Sequence, residues 1–211
     1  MLLSPFKRAP FKTGQISNDT KVGRLANMFH HEVLIKKEVF NFSAFGDNLI
    51  GRTIKALSIA QDFSRDVRVP GKILFLPILF DTPSKRRGDI PSVRFIIQPG
   101  DSNNEVFRSD KVIKIASTAV PDSIAKDMHD MYMKNMNLFT LRCIGETQCG
   151  KAVLSMAEFN KNVNSHKLWA WMSHELVPDS FRSNGSTIRS MVFNVEVVKT
   201  EETKISPEIF S

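Results

Sequence analysis

The sequence predicts an α+β fold: a single domain with a twisted, mostly antiparallel sheet, helices packed on one side of it, and a flexible basic N-terminal arm. Three observations predict it. Ile73 to Phe80 and Val93 to Ile97 are apolar, β-prone runs separated by Asp81, Pro83, Gly88 and Pro91, which reads as a long hairpin through the core. Asn137 to Ile144 and Lys151 to Phe159 alternate and face each other across Gly145 to Gly150, which reads as a second hairpin. Helical spacing recurs near 49–63, 122–134 and 165–176. No Pro/Gly/Ser-rich linker divides the 211 residues into comparable halves, so one domain is expected over 25–200, between an arm at 1–24 and a polar tail at 201–211. No internal repeat or low-complexity tract is legible.

Residues 1–24 carry Lys7, Arg8, Lys12, Lys21 and Arg24 against Asp19 alone, which is +4 of the net +7. Leu2, Leu3, Phe6 and Phe11 are interleaved with them, and Pro5, Pro10 and Gly14 oppose regular structure, so this segment reads as a basic arm with hydrophobic pegs. Val33 to Phe42 has the alternation and branched residues of a strand. Asp47 or Asn48 can cap the helix that follows, through Leu49, Ile50, Ile54, Leu57 and on to Phe63. The long hairpin comes next and displays Lys85, Arg86 and Arg87 at its tip. Pro77 gives no amide to a ladder, so it predicts a kinked strand at an edge or bulge.

Gln98 to Asp110 reads as a loop, and Lys111 to Ile115 as a short strand. Val120-Pro121-Asp122-Ser123 opens a helix through Ile124, Met128 and Tyr132, with Asp122 or Ser123 as its cap. Met128, Met131, Met133 and Met136 give it a methionine-rich patch, read as adaptable core. After the second hairpin, Ser165 to Leu176 predicts a short amphipathic helix with Leu168, Trp169, Met172 and Leu176 on one side, stopped by Pro178. Trp171 falls on the other side, partly buried. Met191 to Lys199 closes the fold as a strand.

Hydrophobic content of 42% and charged content of 24% describe an ordinary globular protein, and 16 Phe against 2 Trp and 1 Tyr point to a core of apolar rings. No apolar run approaches the roughly 20 residues that span a bilayer, and no signal-peptide pattern opens the chain, so a cytosolic origin is expected. Cys143 and Cys149, the only cysteines, are expected as two buried or idle thiols in a reducing compartment. The 29 Lys and Arg against 22 Asp and Glu, with an isoelectric point near 9.5, favour a polyanionic partner, either nucleic acid or an anionic membrane face. No Gly-rich phosphate loop, H-E-x-x-H or G-x-S-x-G occurs, and His166 and His174 have no Cys, Asp or Glu at metal-ligand spacing beside them. No catalytic residue, cofactor or metal is expected.

The order of these elements, Val120-Pro121-Asp122 opening a polar helix, the hairpin through Phe139 and Val153, and the closing Phe181 to Lys199 with Met191-Val192-Phe193-Asn194-Val195-Glu196-Val197, resembles the matrix protein of a rhabdovirus across residues 33–199. The resemblance implies a small basic structural protein that self-associates, lies beneath a virion envelope and on inner membrane faces of the host cell, and condenses the helical nucleocapsid, a ribonucleoprotein, during assembly and budding. Animal-infecting relatives often carry P-P-x-Y near the N-terminus, whereas here the one tyrosine, Tyr132, follows His129-Asp130-Met131. A plant-infecting member fits better. The membrane- and nucleocapsid-binding residues expected on this reading are Lys7, Arg8, Lys12, Lys21, Arg24, Lys85, Arg86 and Arg87, with Leu2, Leu3, Phe6 and Phe11 as membrane pegs. The rival reading is an RNA-binding viral movement or capsid protein, its basic hairpin tip tracking phosphates beside Arg94 and Arg108. A suppressor of host defence is a third.

Overall fold

The computed structural model describes residues 12–17, 19–66, 71–80, 91–100, 111–178 and 187–200. They form one mixed sheet of eight strands with four α-helices and a π-helical turn, an α+β fold as expected. β1 (Lys12–Gln15) runs parallel to β2 (Phe40–Phe45), with α1 (Val22–Phe29) and the π-helical turn His30–Ile35 between them. α2 (Asp47–Asp66) leads to β3 (Lys72–Leu79), and β4 (Ser92–Gly100) inserts between β2 and β3, antiparallel to both. The chain then repeats this path. β5 (Val112–Lys114) runs parallel to β6 (Leu138–Cys143) with α3 (Pro121–Met133) between them. α4 (Glu146–Asn162) leads to β7 (His166–Pro178), and β8 (Thr187–Lys199) inserts between β6 and β7, antiparallel to both.

The sheet order β1-β2-β4-β3-β7-β8-β6-β5 is one four-strand order met twice, and β3 and β7, antiparallel at its centre, relate the halves by an approximate two-fold. The agreement extends to single atoms at a constant offset of 99 residues. The amide of Ile16 donates to Ser43 as that of Ile115 does to Arg142, and Thr20 to Ser17 as Ala119 does to Ala116. Leu25, Ala26 and Phe29 are the buried positions of α1, and Ile124, Ala125 and Met128 those of α3. Gly46 and Gly145, at φ +79° and +96°, turn the chain from strand into helix in the left-handed region that only glycine enters cheaply. The repeat was not expected, because 12–61 and 111–160 share only Lys, Ile, Ala, His, Phe and two Gly at equivalent positions.

Buried residues of all four helices join one apolar core with one parity of the strands, including Phe42, Phe75, Phe95, Phe139, Ala170 and Phe193. The other parity forms a small cluster of Leu76, Ile96 and Trp169 that includes no helical residue, so the helices pack on one face. Rings interlock in the core: Phe29 meets Phe40 and Phe42 edge-on at 6.2 and 5.2 Å, and Phe75 meets Phe193 at 6.1 Å. Each such fully buried ring contributes roughly 1.5–3 kcal/mol of burial free energy.

The halves meet at a seam with a single strand pairing, Phe75 with Ala170. Two amide side chains, each at the fifteenth position of its helix, replace the missing ladder. Gln61 of α2 accepts from the amide of Ile73 at 2.7 Å and donates to the carbonyl of Gly71 at 3.1 Å. Asn160 of α4 accepts from the amide of Leu168 at 2.7 Å and donates to the carbonyls of Pro77 and Leu168 at 2.9 and 3.3 Å. Pro77 thus lies in an interior strand, not at an edge. It is tolerated because its pairing with Phe95 faces β4 without hydrogen bonds, while the side that lacks an amide faces the seam.

Other expectations are corrected. The strand expected at 33–42 begins at Phe40; Val33 is the third member of a helical stripe with Leu25 and Phe29, and it is buried with Leu34 in the π-helical turn. The second limb of the expected hairpin at 138–159 is the helix α4, whose buried Cys149, Ala152, Val153, Met156 and Phe159 follow helical spacing. The helix expected at 165–176 is the strand β7: Leu168, Ala170 and Met172 enter the main core, and Trp169 and Trp171 lie on the opposite face, both buried. An apolar run covered on both faces carries no alternation to separate it from a helix. Gln98 to Gly100 belong to β4, and Val120, not Asp122 or Ser123, occupies the cap position of α3, with Pro121 opening the helix. Among the described residues of the methionine patch, Met128 is buried but Met133 is 66% exposed.

The expected arm falls only partly on the described residues. Residues 12–15 form β1, Ile16 is buried, and Val22 starts α1, so its described portion is built into the sheet and the helix layer. Residues 1–11 and the expected tail at 201–211 lie outside the described residues.

Candidate polyanion-binding surface

Of the residues expected to bind a polyanion, Lys7, Arg8, Lys85, Arg86 and Arg87, and the pegs Leu2, Leu3, Phe6 and Phe11, lie outside the described residues. Lys12 opens β1 opposite Phe40, at the end of the sheet where Phe40 pairs with Ile97. β1 then carries the chain to the other end, where Gln15 lies opposite Ser43 and Ser43 opposite Arg94. Lys21 and Arg24 follow there, both exposed, and α1 returns until Phe29 packs on Phe40 and Phe42.

Phe80 and Pro91, which flank the segment bearing Lys85, Arg86 and Arg87, stand at that same end. The amide of Phe80 donates to Ser92, the amide of Gly46 donates to Pro91, and the Phe45 and Phe80 rings meet at 5.5 Å. Arg94 sits beside them, its guanidinium 5.3 Å from the Phe80 ring. Among the described residues, Lys12 therefore stands apart from Lys21 and Arg24. Lys12 and Lys21 start from opposite ends of strands about 17 Å long, and Lys21 and Arg24 share their end with the anchors of the 81–90 segment.

α1 receives this charge against its own electrostatics. Lys21 is its cap residue and makes no side-chain cap bond, and its first turn holds Arg24 and no acid. Cations at a helix N-terminus oppose the macrodipole by about 0.3–1 kcal/mol each. The equivalent positions of α3 are Val120 and Ser123, with Asp122 in the first turn, the favourable sign. Charge is divided the same way along the whole chain. Residues 1–100 hold 16 Lys and Arg against 8 Asp and Glu, net +8, and residues 101–211 hold 13 against 14, net −1. One topology is thus built twice, once strongly basic and once neutral.

Two further constellations lie in the helix layer. In a groove of about 290 Å³ between α2, the start of α4 and the β7–β8 pair, Ser58 Oγ is 2.6 Å and Asp62 Oδ2 3.6 Å from the same ring nitrogen, Nε2 of His174. Arg189 reaches Asp62 at 2.9 Å, and Lys55 and Glu146 pair across the groove at 3.3 Å. A hydrolytic triad needs the acid on one imidazole nitrogen and the hydroxyl on the other. With both on Nε2 the network ties α2 to the β7–β8 strands and forms no relay. Below it, Cys143 and Cys149 are buried free thiols, and Cys149 Sγ lies 3.6 Å from Met191 Sδ. A hydrogen bond with Cys149, then burial, pushes the Cys143 thiol far above its ordinary range, which makes it a poor nucleophile. Among the described residues, no three His, Cys, Asp or Glu side chains are grouped to hold a metal, and no helix is long and apolar enough to cross a membrane.

No protein-family model matches the chain, and no curated protein is similar to it in sequence.

Proposed function

We propose that this chain is a viral matrix-type structural protein that self-associates, binds an anionic membrane face through its first half, and condenses the nucleocapsid during virion assembly and budding. The observation that carries the reading is the division of charge between two halves of one topology, net +8 against −1. The fold does not require the positive charge, because residues 111–199 build the same four strands and two helices without it. Cations retained against the dipole of α1 have their use in what they meet outside the molecule. The identity of that partner rests on the landmarks of the resemblance that the fold keeps, Val120-Pro121-Asp122 opening α3 and the closing strand through Met191 to Val197, and not on the element order, which the strand at 33–42, the second hairpin and the helix at 165–176 no longer support.

The test is cosedimentation with anionic vesicles across a salt series. Each basic residue near such a surface is worth about 1 kcal/mol before screening, so five contribute roughly 5 kcal/mol at most. A variant with Lys21, Arg24, Lys85, Arg86 and Arg87 changed to Ser is expected to lose vesicle affinity by more than about 100-fold. One with Lys114, Lys126, Lys134, Lys161 and Lys199 changed to Ser is expected to lose less than about tenfold. Equal losses in the two variants, or equal binding to neutral vesicles, would refute the reading. RNA binding without vesicle binding would favour the RNA-binding movement or capsid protein instead.

A further inference from the structure

The internal repeat makes each half a template for the other, and they differ where the two helices of each half meet. In the first half, Phe63 at the end of α2 lays its ring edge-on against His30, centroids 5.9 Å apart at 90°, and packs against the main core. The residues 99 positions later are Asn162 and His129. Asn162 is exposed and turns its amide to Glu158 at 3.3 Å. The second half carries its aromatic ring one turn earlier, at Phe159, where the first half has Ala60, and Phe159 is itself buried. Between α3 and α4 there is an open groove of about 340 Å³, lined by Ala125, Phe159 and Val163 together with the charged Asp122, Lys126 and Glu158, and the His129 ring that borders it meets Phe159 at 6.4 Å. Asn162, the position equivalent to Phe63, lines this groove.

A phenyl ring of this chain lies within reach. The amide of Thr200 donates to the carbonyl of Ser165 at 2.9 Å, and its hydroxyl to that of Asn164 at 3.0 Å, so the chain leaves β8 beside Val163, at the mouth of the groove. Residues 201–211 follow, and Phe210 is their one aromatic residue. Ten residues span up to about 33–36 Å. Phe6 and Phe11 precede β1, the opposite edge of the sheet, seven strand spacings or about 34 Å from β5.

We propose that the α3–α4 groove is the docking site for the Phe210 side chain of the chain's own C-terminal segment, held against His129 as Phe63 is held against His30. The inference does not rest on the matrix reading. Attachment ten residues away gives the segment a millimolar effective concentration, enough for a weak site to be filled within one molecule.

The test uses amide chemical shifts of the full chain and of its Phe210→Ala variant. Ala125, His129 and Val163 are expected to shift between the two, by amounts independent of protein concentration. Adding a peptide of residues 201–211 to the Phe210→Ala chain should restore the native shifts saturably. Asn162→Phe, an exposed position that takes the phenyl ring of the other half, should weaken that peptide at least tenfold. The proposal is overturned by unchanged groove shifts in Phe210→Ala, by peptide binding to Asn162→Phe as tight as to the native groove, or by shifts that grow with concentration. The last outcome would assign the occupant to a second copy.

Discussion

Replacing Asn160 by Leu tests the seam between the halves most directly, since leucine keeps the branched shape of asparagine while removing its side-chain hydrogen bonds. Asn160 is 3% exposed, so water does not readily take its place. The change strands the amide of Leu168 and the carbonyl of Pro77, bonded at 2.7 and 2.9 Å, and removes the longer bond to Leu168 at 3.3 Å. A buried polar group left without a partner costs about 1–3 kcal/mol. The two short bonds therefore set a loss of roughly 2–6 kcal/mol, and better burial of the leucine returns about 1. A loss of about 3 kcal/mol is expected. Gln61→Leu removes the bonds to Ile73 and Gly71, the latter nearer solvent, and should cost about 2 kcal/mol. Ile73 and Pro77 are about 13 Å apart along β3, so the double variant should be additive within about 0.5 kcal/mol. Urea unfolding followed by far-ultraviolet circular dichroism measures all three. A loss below about 1 kcal/mol for Asn160→Leu would show that the amide is not what joins the two four-stranded halves.

Two further outcomes follow from single elements. Deleting residues 1–24 removes β1 and the buried Ile16, and should lower stability by at least about 2 kcal/mol in the same assay; an unchanged midpoint would mean that β1 contributes nothing. Lys167, whose ammonium donates to the carbonyls of Asn160 and Val163 at the end of α4, has its pKa lowered by burial from the ordinary 10.5. The unfolded chain then binds more protons than the folded one between the lowered value and about 10.5, so stability should rise with pH through that window. Comparing wild type with Lys167→Met from pH 7 to 10.5 isolates this residue: the difference should move in favour of wild type as pH rises, and a flat difference would contradict the burial.

The sequence by itself determined the elements whose local signals agree. The 73–97 hairpin, α2, α3, β5 and the closing strand lie near their expected positions because turn residues, periodicity and length point the same way in each. It determined the charge as well, since the basic residues are countable without coordinates, and the proposed function rests on that charge. Tertiary structure alone decided α4 and β7. Lys151 to Phe159 satisfies both an alternating and a helical pattern, and the choice fell to α4 because its Cys149, Val153 and Met156 stripe packs in the core shared by the other helices. Leu168 to Met172 is apolar throughout, and it became a strand because Phe75 and Val195 lie on either side of Ala170 to pair with it. The repeat was hidden for the same reason. Packing requires burial, hydrogen-bond geometry and the glycines at 46 and 145, but not side-chain identity, so most equivalent positions carry different residues and the backbone register is what makes the relation between the halves visible. The α3–α4 groove is legible only through that register, because its signal is a phenylalanine that one half has and the other lacks.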